Sequence, residues 1–259
     1  MNRIKKIATC SIVCLVALTL SNCKKGNDVP TAELVNPSLK SGNAIKSVLF
    51  NGDASNGSGN IWKDINIEGT GTVTTINDET GTLCWKFLKP ADSHRTEGHG
   101  AKNYQADEDD VIYIGWTSKL YMPLTLQTEA VFQWKSYPTA GAQANHPIML
   151  RTKNGNLELQ YFDINHNATV IWSTSLSTST WLKFVIRMKM SYDDSVGYVE
   201  FWYNGVKQTL SNGNQRMYCR TLDSDYCDPK WGVYGGDASQ VTNIVKKIRI
   251  ATSYSDAAQ

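Results

Sequence analysis

The stretch Trp181–Met190 reads Trp-Leu-Lys-Phe-Val-Ile-Arg-Met-Lys-Met, and it is followed by Tyr198–Tyr203 and by the dipeptide Asn204-Gly205. The even positions from 182 to 188 are apolar, whereas the odd positions from 183 to 189 hold two lysines, a valine and an arginine. Alternation with a period of two is typical of a strand that buries one face. Asn-Gly accepts positive φ at both central positions of a tight turn and predicts a hairpin. These residues therefore predict antiparallel β-structure.

Short alternating or aromatic-rich segments recur along the chain, from Gly71–Ile76 to Val245–Ala251, and no window of a dozen residues keeps a helical period. A second Asn-Gly pair, Asn154-Gly155, predicts another hairpin. This pattern predicts an all-β fold, a single β-jelly-roll built as a two-sheet antiparallel sandwich with one concave face open to substrate. Residues 45–259 are long enough to form it as one domain.

Residues 1–23 are predicted to be a lipoprotein signal peptide. Basic residues precede the apolar run Ile7–Leu20, which is too short to span a bilayer comfortably. The run leads into Cys23 through a sequence that resembles a bacterial lipoprotein cleavage box, so Cys23 is expected to carry the lipid; the alternative is an uncleaved signal anchor. Residues 24–44 are rich in Lys, Asn, Ser and Pro and predict a flexible tether. The chain is expected in the cell envelope, lipid-anchored, or secreted.

The charge balance limits the partners of the mature chain. Removing Arg3, Lys5 and Lys6 from the 26 Lys and Arg leaves 23 against 24 Asp and Glu, a net charge near −1. A general attraction for polyanions is not expected, so an anionic ligand must meet a local cluster of positive groups. Nucleic acid is not an expected partner, and a monomer is expected.

The cysteines outside the signal predict one disulfide bond. Cys219 and Cys227 flank a short loop, and an exported chain permits them to pair, the alternative being free thiols. Cys84 lies between apolar residues and is expected to be a buried small hydrophobe. No cofactor or metal site is legible: no close Cys or His pair suggests zinc, and the acidic stretch Asp107–Asp110 fits a solvated turn better than a structural calcium site.

Three segments place polar side chains on the strand face opposite their apolar residues. These side chains are Arg95, Glu97 and His99, then Gln133 and Lys135, then Lys230 and Tyr234. In the fourth such segment, the one quoted first, Arg187 and Lys189 share the polar face. Taken alone, each strand also fits an ordinary solvated face of an antiparallel sheet.

The order of these segments adds a resemblance. Arg95-Thr96-Glu97, Gln133-Trp134-Lys135 and Lys230–Tyr234 together resemble the motifs of jelly-roll polysaccharide lyases, the group that holds heparin lyase I, glucuronan lyase, small ulvan lyases and, more distantly, alginate lyases. Lys135 stands where alginate lyases carry His, and Gly98-His99 replaces their Leu-Arg. The resemblance therefore implies a glucuronate-type substrate, such as glucuronan or ulvan, rather than alginate.

The resemblance implies cleavage of a 4-linked uronic acid by β-elimination. Such a site must neutralise the uronate carboxylate, remove the C5 proton and protonate the leaving oxygen. Tyr234 is predicted to be acid and base, or acid partner to Lys135 or His99. The remaining predicted substrate-binding residues are Arg95, Gln133, Lys230, Asn145, His146, Arg187 and Lys189, of which Asn145 and His146 lie on a long loop.

Two other classes fit parts of the pattern. A non-catalytic carbohydrate-binding lectin of the same fold would keep the polar face without a proton-transfer pair. A glycoside hydrolase of related fold would need two facing carboxylates, and Glu97 is the clear one in the three motifs.

Overall fold

Antiparallel strands make up nearly all of the regular structure in the computed structural model, which describes residues 47–124, 128–139, 142–236 and 238–259. In chain order the strands are β1 (Val48–Asn51), β2 (Trp62–Glu68), β3 (Thr72–Asn77), β4 (Leu83–Lys89), β5 (Arg95–Ala101), β6 (Val111–Tyr121), β7 (Glu129–Ser136), β8 (Ile148–Lys153), β9 (Asn156–Phe162), β10 (Ala168–Ser175), β11 (Trp181–Lys189), β12 (Tyr198–Tyr203), β13 (Val206–Lys207), β14 (Met217–Tyr218), β15 (Cys227–Gly235) and β16 (Val241–Ala251). A 3-10 turn (Ala54–Asn56) and the short helices α1 (Ser58–Ile61) and α2 (Tyr254–Ala257) complete the elements.

The strands form two sheets. One has nine strands, in the order β13-β12-β11-β6-β16-β4-β3, with β1 added beside β16 and β14 beside β12. The other has seven, in the order β10-β9-β8-β7-β15-β5-β2. Every pairing in both sheets is antiparallel. The predicted all-β, two-sheet sandwich is confirmed.

The core lies between the two sheets and is rich in aromatic rings. Trp116 of β6 stacks on Phe132 of β7 with ring centroids 4.6 Å apart, and it meets Trp231 of β15 edge-on at 6.4 Å. These rings are almost fully buried. Such contacts join the sheets because side chains of alternating strands interdigitate across the gap.

Both predicted Asn-Gly hairpins are present. Asn154 and Gly155 connect β8 to β9 with φ of 52° and 71°, and Asn204 and Gly205 connect β12 to β13 with φ of 50° and 83°. Positive φ at both central residues is the type of turn that matches the twist of the flanking strands.

The sequence pattern did not predict β2. Its residues Lys63, Asp64 and Glu68 are exposed, and the strand lies at the edge of the seven-stranded sheet beside β5. Residues Asp64–Glu68 nevertheless alternate polar side chains with Ile65 and Ile67, so this edge strand could have been predicted from its alternation.

The predicted disulfide is wrong. Cys219 and Cys227 are both free and buried, and burial raises the pKa of each thiol to about 12. Cys219 follows β14 at the nine-stranded sheet, whereas Cys227 begins β15 in the seven-stranded sheet. Closeness in sequence misled here because the chain crosses between the sheets in that interval. Cys84 is fully buried, as predicted.

Residues 1–46, which include the predicted signal peptide, lipidated Cys23 and tether, lie outside the described residues. Residues Ile45–Gln259 belong to one compact unit. Within the part of the chain that the structure describes, no helix is both long enough and apolar enough to cross a membrane.

Candidate active site

The three motif strands lie side by side in the seven-stranded sheet. β15 occupies the middle, with β5 on one side and β7 on the other. Lys230 pairs with His99 across one ladder and with Gln133 across the other, while Tyr234 pairs with Arg95. The registers therefore place these polar residues side by side on the sheet.

Packing beneath the sheet fixes which side chains face outward. Trp231 and Val233 are fully buried in the core, so Lys230 and Tyr234 project from the opposite face. Gly232 between them has φ of 148°, and a Cβ there would lie 2.2 Å from the carbonyl oxygen of Thr96. Only glycine fits where β15 approaches β5 this closely.

A buried ionic network forms the floor of the site. Lys230 Nζ lies 2.8 Å from Glu97 Oε2, and both side chains are 2% exposed. Gln133 Nε2 donates to Glu97 Oε1 at 2.5 Å, and Arg95 Nε lies 3.4 Å from Glu97 Oε2. The Glu97 carboxylate thus contacts two cationic side chains and one amide.

The contact with Glu97 sets the orientation of the Gln133 amide. Because Glu97 accepts from Nε2, the carbonyl atom Oε1 is the end of the amide that points away from Glu97. Within the described part of the chain, this buried Oε1 has no hydrogen-bond partner. Glu97 thus uses one of the two N–H groups of the Gln133 amide and leaves Oε1 as an acceptor without a partner among the described residues.

The Tyr234 ring lies between the side chain of Arg95, the first residue of β5, and that of His94, the residue before it. The Arg95 guanidinium lies 4.5 Å from the centroid of the Tyr234 ring, and the His94 ring meets it edge-on at 4.7 Å. Arg95 also reaches Glu68 at 3.4 Å. His94, which immediately precedes β5, therefore also borders the site.

Two further groups have a lowered pKa in this positive environment. Burial, followed by the charges of Lys230 and Arg95, lowers the pKa of Lys135. Burial and the charge of Lys135 lower the pKa of His146 to about 4. Like charges disfavour the protonated form. The site therefore holds an amine and an imidazole that lose their protons more readily than exposed ones.

An aromatic stack borders the same cluster. The rings of His99 and Tyr137 stack at 4.6 Å, and Tyr137 stacks on Tyr226 at 5.4 Å. Lys135 lies 5.5 Å from the centre of the Tyr137 ring, and His99 Nε2 lies 3.3 Å from the buried carboxylate of Asp228. Sequence reasoning missed Tyr137 and Tyr226, since each lies beyond a strand end.

Three predicted binding residues lie elsewhere. Asn145 is buried, and its amide nitrogen donates to Asp163 O at 2.8 Å and to Asp223 Oδ2 at 3.0 Å, so it ties loops together. Arg187 and Lys189 belong to β11 in the nine-stranded sheet. The alternation along the strand correctly predicted that both side chains lie on a polar face. It does not predict which of the two sheets the strand joins. Among the described residues, no group of three His, Cys, Asp or Glu could hold a metal ion.

The protein is a two-sheet antiparallel sandwich, and a cluster of cationic side chains with a tyrosine lies on the outer face of one sheet. A family model described as "Polysaccharide lyase" matches residues 39–248, and the chain belongs to this family. A search of curated proteins found no match.

A solved alginate lyase structure has a similar fold, and a second, weaker similarity is to a toxin domain. Alginate lyase A1-II′, a member of polysaccharide lyase family-7, is 12% identical with a TM-score of 0.50, and the match covers 68% of this chain and 82% of that one. The receptor-binding domain of botulinum neurotoxin D is 16% identical with a TM-score of 0.47, and the match covers 73% and 44%. The chain spans less than half the length of that domain. At these identities the likeness concerns the fold alone.

Proposed function

We propose that the chain cleaves 4-linked glucuronate-type polysaccharides, such as glucuronan or ulvan, by β-elimination and leaves an unsaturated uronyl end. The observation that carries the proposal is the position of Lys135, half-buried beside Lys230 and Arg95, which lower its pKa, on the face that presents Tyr234. An amine that releases its proton easily and a phenol in one cationic cluster supply the base and the acid that elimination needs.

Each group has one task in the reaction. Arg95 and Lys230 stabilise the negative charge that develops on the uronate carboxylate as C5 loses its proton. Neutral Lys135 takes that proton, the C5–H electron pair forms the C4–C5 double bond, and the C4–O bond breaks. Tyr234 gives its proton to the departing oxygen. Burial also lowers the pKa of Lys230, although its ion pair with Glu97 opposes this shift. Lys230 is less suited to be the base because its Nζ is held 2.8 Å from the buried Glu97 carboxylate.

His99 fits a binding role better than a catalytic one. Its ring is stacked on Tyr137 and its Nε2 lies 3.3 Å from Asp228, so its orientation is fixed at the border of the cluster. His146, neutral at pH 7 because its pKa is about 4, can receive hydrogen bonds from sugar hydroxyls.

A glycoside hydrolase is less well supported. It needs one free carboxylate and one protonated carboxyl. On this face Glu97 is paired with Lys230 at 2.8 Å, and Asp228 is paired with Lys63 at 2.8 Å. Both carboxylates are therefore already occupied by cationic side chains.

The test is incubation of the mature chain with glucuronan, ulvan, alginate and a heparin-like chain, with ultraviolet absorbance and reducing ends followed together. Both signals should rise with glucuronan or ulvan. Reducing ends without absorbance would mean hydrolysis, and binding without either signal would identify a lectin.

We also propose that the chain acts at the cell envelope as a monomer anchored by a lipid on Cys23. The support is the sequence of residues 1–23, which resembles a lipoprotein signal. A Cys23→Ala variant should move from the membrane fraction to the soluble fraction; unchanged membrane retention would contradict the anchor. Sedimentation of the mature chain tests the monomer.

A further inference from the structure

The outer face of the nine-stranded sheet carries a second cationic cluster, which the proposed reaction does not use. It consists of Arg187 on β11, Glu200 on β12, Lys207 on β13 and Arg216 just before β14, here called the Glu200 cluster. Val185 and Arg187 have the opposite parity to the buried Phe184 and Ile186, which places the cluster on the side away from the core.

One carboxylate holds three cations in this cluster. Arg216 Nη2 lies 2.6 Å from Glu200 Oε1, while Lys207 Nζ and Arg187 Nη1 lie 2.8 Å and 3.4 Å from Oε2. Glu200 is 2% exposed, whereas the three cations are between 26% and 37% exposed. Glu200 neutralises one charge, so the surface retains an excess of two positive charges.

Aromatic rings are interleaved with these cations. The Arg216 guanidinium lies 3.9 Å from the centre of the Tyr198 ring, Arg187 lies 5.2 Å from that of Tyr113, and Lys207 lies 5.0 Å from that of Trp202. Tyr218, which packs edge-on against Tyr198 at 6.1 Å, is 57% exposed. The rings hold the cationic groups in fixed positions and leave one aromatic face open to solvent.

The cluster also contains an unused donor. Within the described residues, Arg187 Nε is buried and has no hydrogen-bond partner. Buried donors are normally satisfied, and this exception shows that Glu200 does not saturate the Arg187 guanidinium.

We infer that the Glu200 cluster is a second binding surface for an anionic polysaccharide, separate from the site on the seven-stranded sheet. Carboxylates of the chain would pair with Arg187, Lys207 and Arg216, and a sugar ring would pack on Tyr218. The excess positive charge and the open aromatic face match a polyanionic sugar chain better than a protein or an apolar ligand. The inference rests on the proposed function only for the identity of the polyanion.

A binding surface on the opposite sheet affects the binding of long polysaccharide chains. Since the two outer faces of a sandwich point in opposite directions, one short oligosaccharide cannot occupy both. A long polymer can, and a second contact on the same molecule increases retention through effective concentration. Short substrates should therefore be insensitive to the cluster.

The experiment uses the mature chain and compares Lys207→Gln/Arg216→Gln with Lys183→Gln. Lys183 lies on the same strand as Arg187, is exposed, and has no ion pair among the described residues. The double variant should bind long glucuronan at least about fivefold more weakly at low salt, with a smaller dependence on salt, and Lys183→Gln should bind like the parent. Melting temperatures check folding, and the single variant Lys207→Gln, which leaves two cations on Glu200, should show an intermediate loss.

Turnover of short oligosaccharides separates this inference from the proposed function. Unchanged kcat/KM on short chains together with the loss of polymer binding supports the second surface. Equal binding by the double variant and by Lys183→Gln would overturn it, even if the parent releases unsaturated product. A loss of binding in a chain that never releases that product would overturn the proposed reaction and leave the surface standing.

Discussion

Two lysines among the residues that the structure describes are almost completely buried, and their surroundings differ. Lys89 Nζ donates to the carbonyls of Ser93, Gly236 and Ser239 at 2.7–3.1 Å and lies 3.5 Å from Glu129 Oε1. Lys230 has one acceptor among the described residues, Glu97.

The atoms around Lys230 are incompletely paired as well. Gln133 Oε1 and Tyr137 Oη are buried without hydrogen-bond partners within the described part of the chain. A buried polar network in which every group is satisfied stabilises a fold, whereas unpaired groups carry a cost that a ligand can remove. From this difference we infer that Lys89 stabilises the fold and that Lys230 serves the candidate active site.

The largest effect is expected at Tyr234. Tyr234→Phe removes the proton donor and should lower kcat by about 10²- to 10⁴-fold, the usual contribution of a general acid. Affinity for glucuronan and the free energy of unfolding should change little, because the ring and its contact with Arg95 remain. Tyr121→Phe, on the other sheet, is the control. Activity retained in Tyr234→Phe would exclude Tyr234 from the proton transfer.

The second prediction concerns the contribution of Lys89 to the stability of the fold. Lys89→Met leaves Glu129 buried without this cation and three carbonyls without this donor, so the free energy of unfolding should fall by about 3–5 kcal/mol. Denaturation in urea measures it, with Lys86→Met on the same strand as the control. Specific activity of the folded fraction should remain near that of the parent. A loss below about 1 kcal/mol would show that Lys89 is not needed to hold the strand ends.

Two double variants test the difference between Lys230 and Lys89 directly, and the first removes the Lys230 pair. Glu97→Gln/Lys230→Met removes both charges, and replacing a buried pair is often close to neutral, so stability should change by less than about 2 kcal/mol. Turnover should fall at least about tenfold, since a cation beside the substrate carboxylate is lost.

The matching double variant Glu129→Gln/Lys89→Met should remain more strongly destabilised. The three carbonyls bound by Lys89 lose their donor whatever happens to Glu129, at about 1 kcal/mol or more each. Equal stability losses in the two double variants would contradict the distinction between the two lysines.

Much of the fold could be predicted from the sequence, since it depends on local chemistry. Alternation over Trp181–Lys189 and the two Asn-Gly turns specify strands and hairpins without knowledge of their partners. Edge strand β2 was not predicted although Asp64–Glu68 alternate in the same way. The spacing of Cys219 and Cys227 could not show that the chain crosses between sheets there.

The site was predicted in part. Strand parity identified Arg95, Gln133, Lys230 and Tyr234 as one face, and the ladder registers place them together. Parity could not exclude Arg187, because a polar face reads the same on either sheet. It also could not show that Glu97 would occupy the donor of Gln133, which depends on contacts between residues far apart in the sequence.

The smallest expected effect is a change in pH dependence, and it tests Lys135 as the base. A base must be unprotonated, so kcat/KM should rise with pH through the pKa of Lys135, which burial and the neighbouring cations lower. Lys230→Met removes one of those cations, so this pKa should rise and the rising limb of residual activity should move to higher pH by about one pH unit. Lys89→Met, remote from Lys135, should leave the limb in place. If the limb of the parent instead has its midpoint near pH 4 and is lost in His146→Gln, the base is His146, whose pKa is about 4.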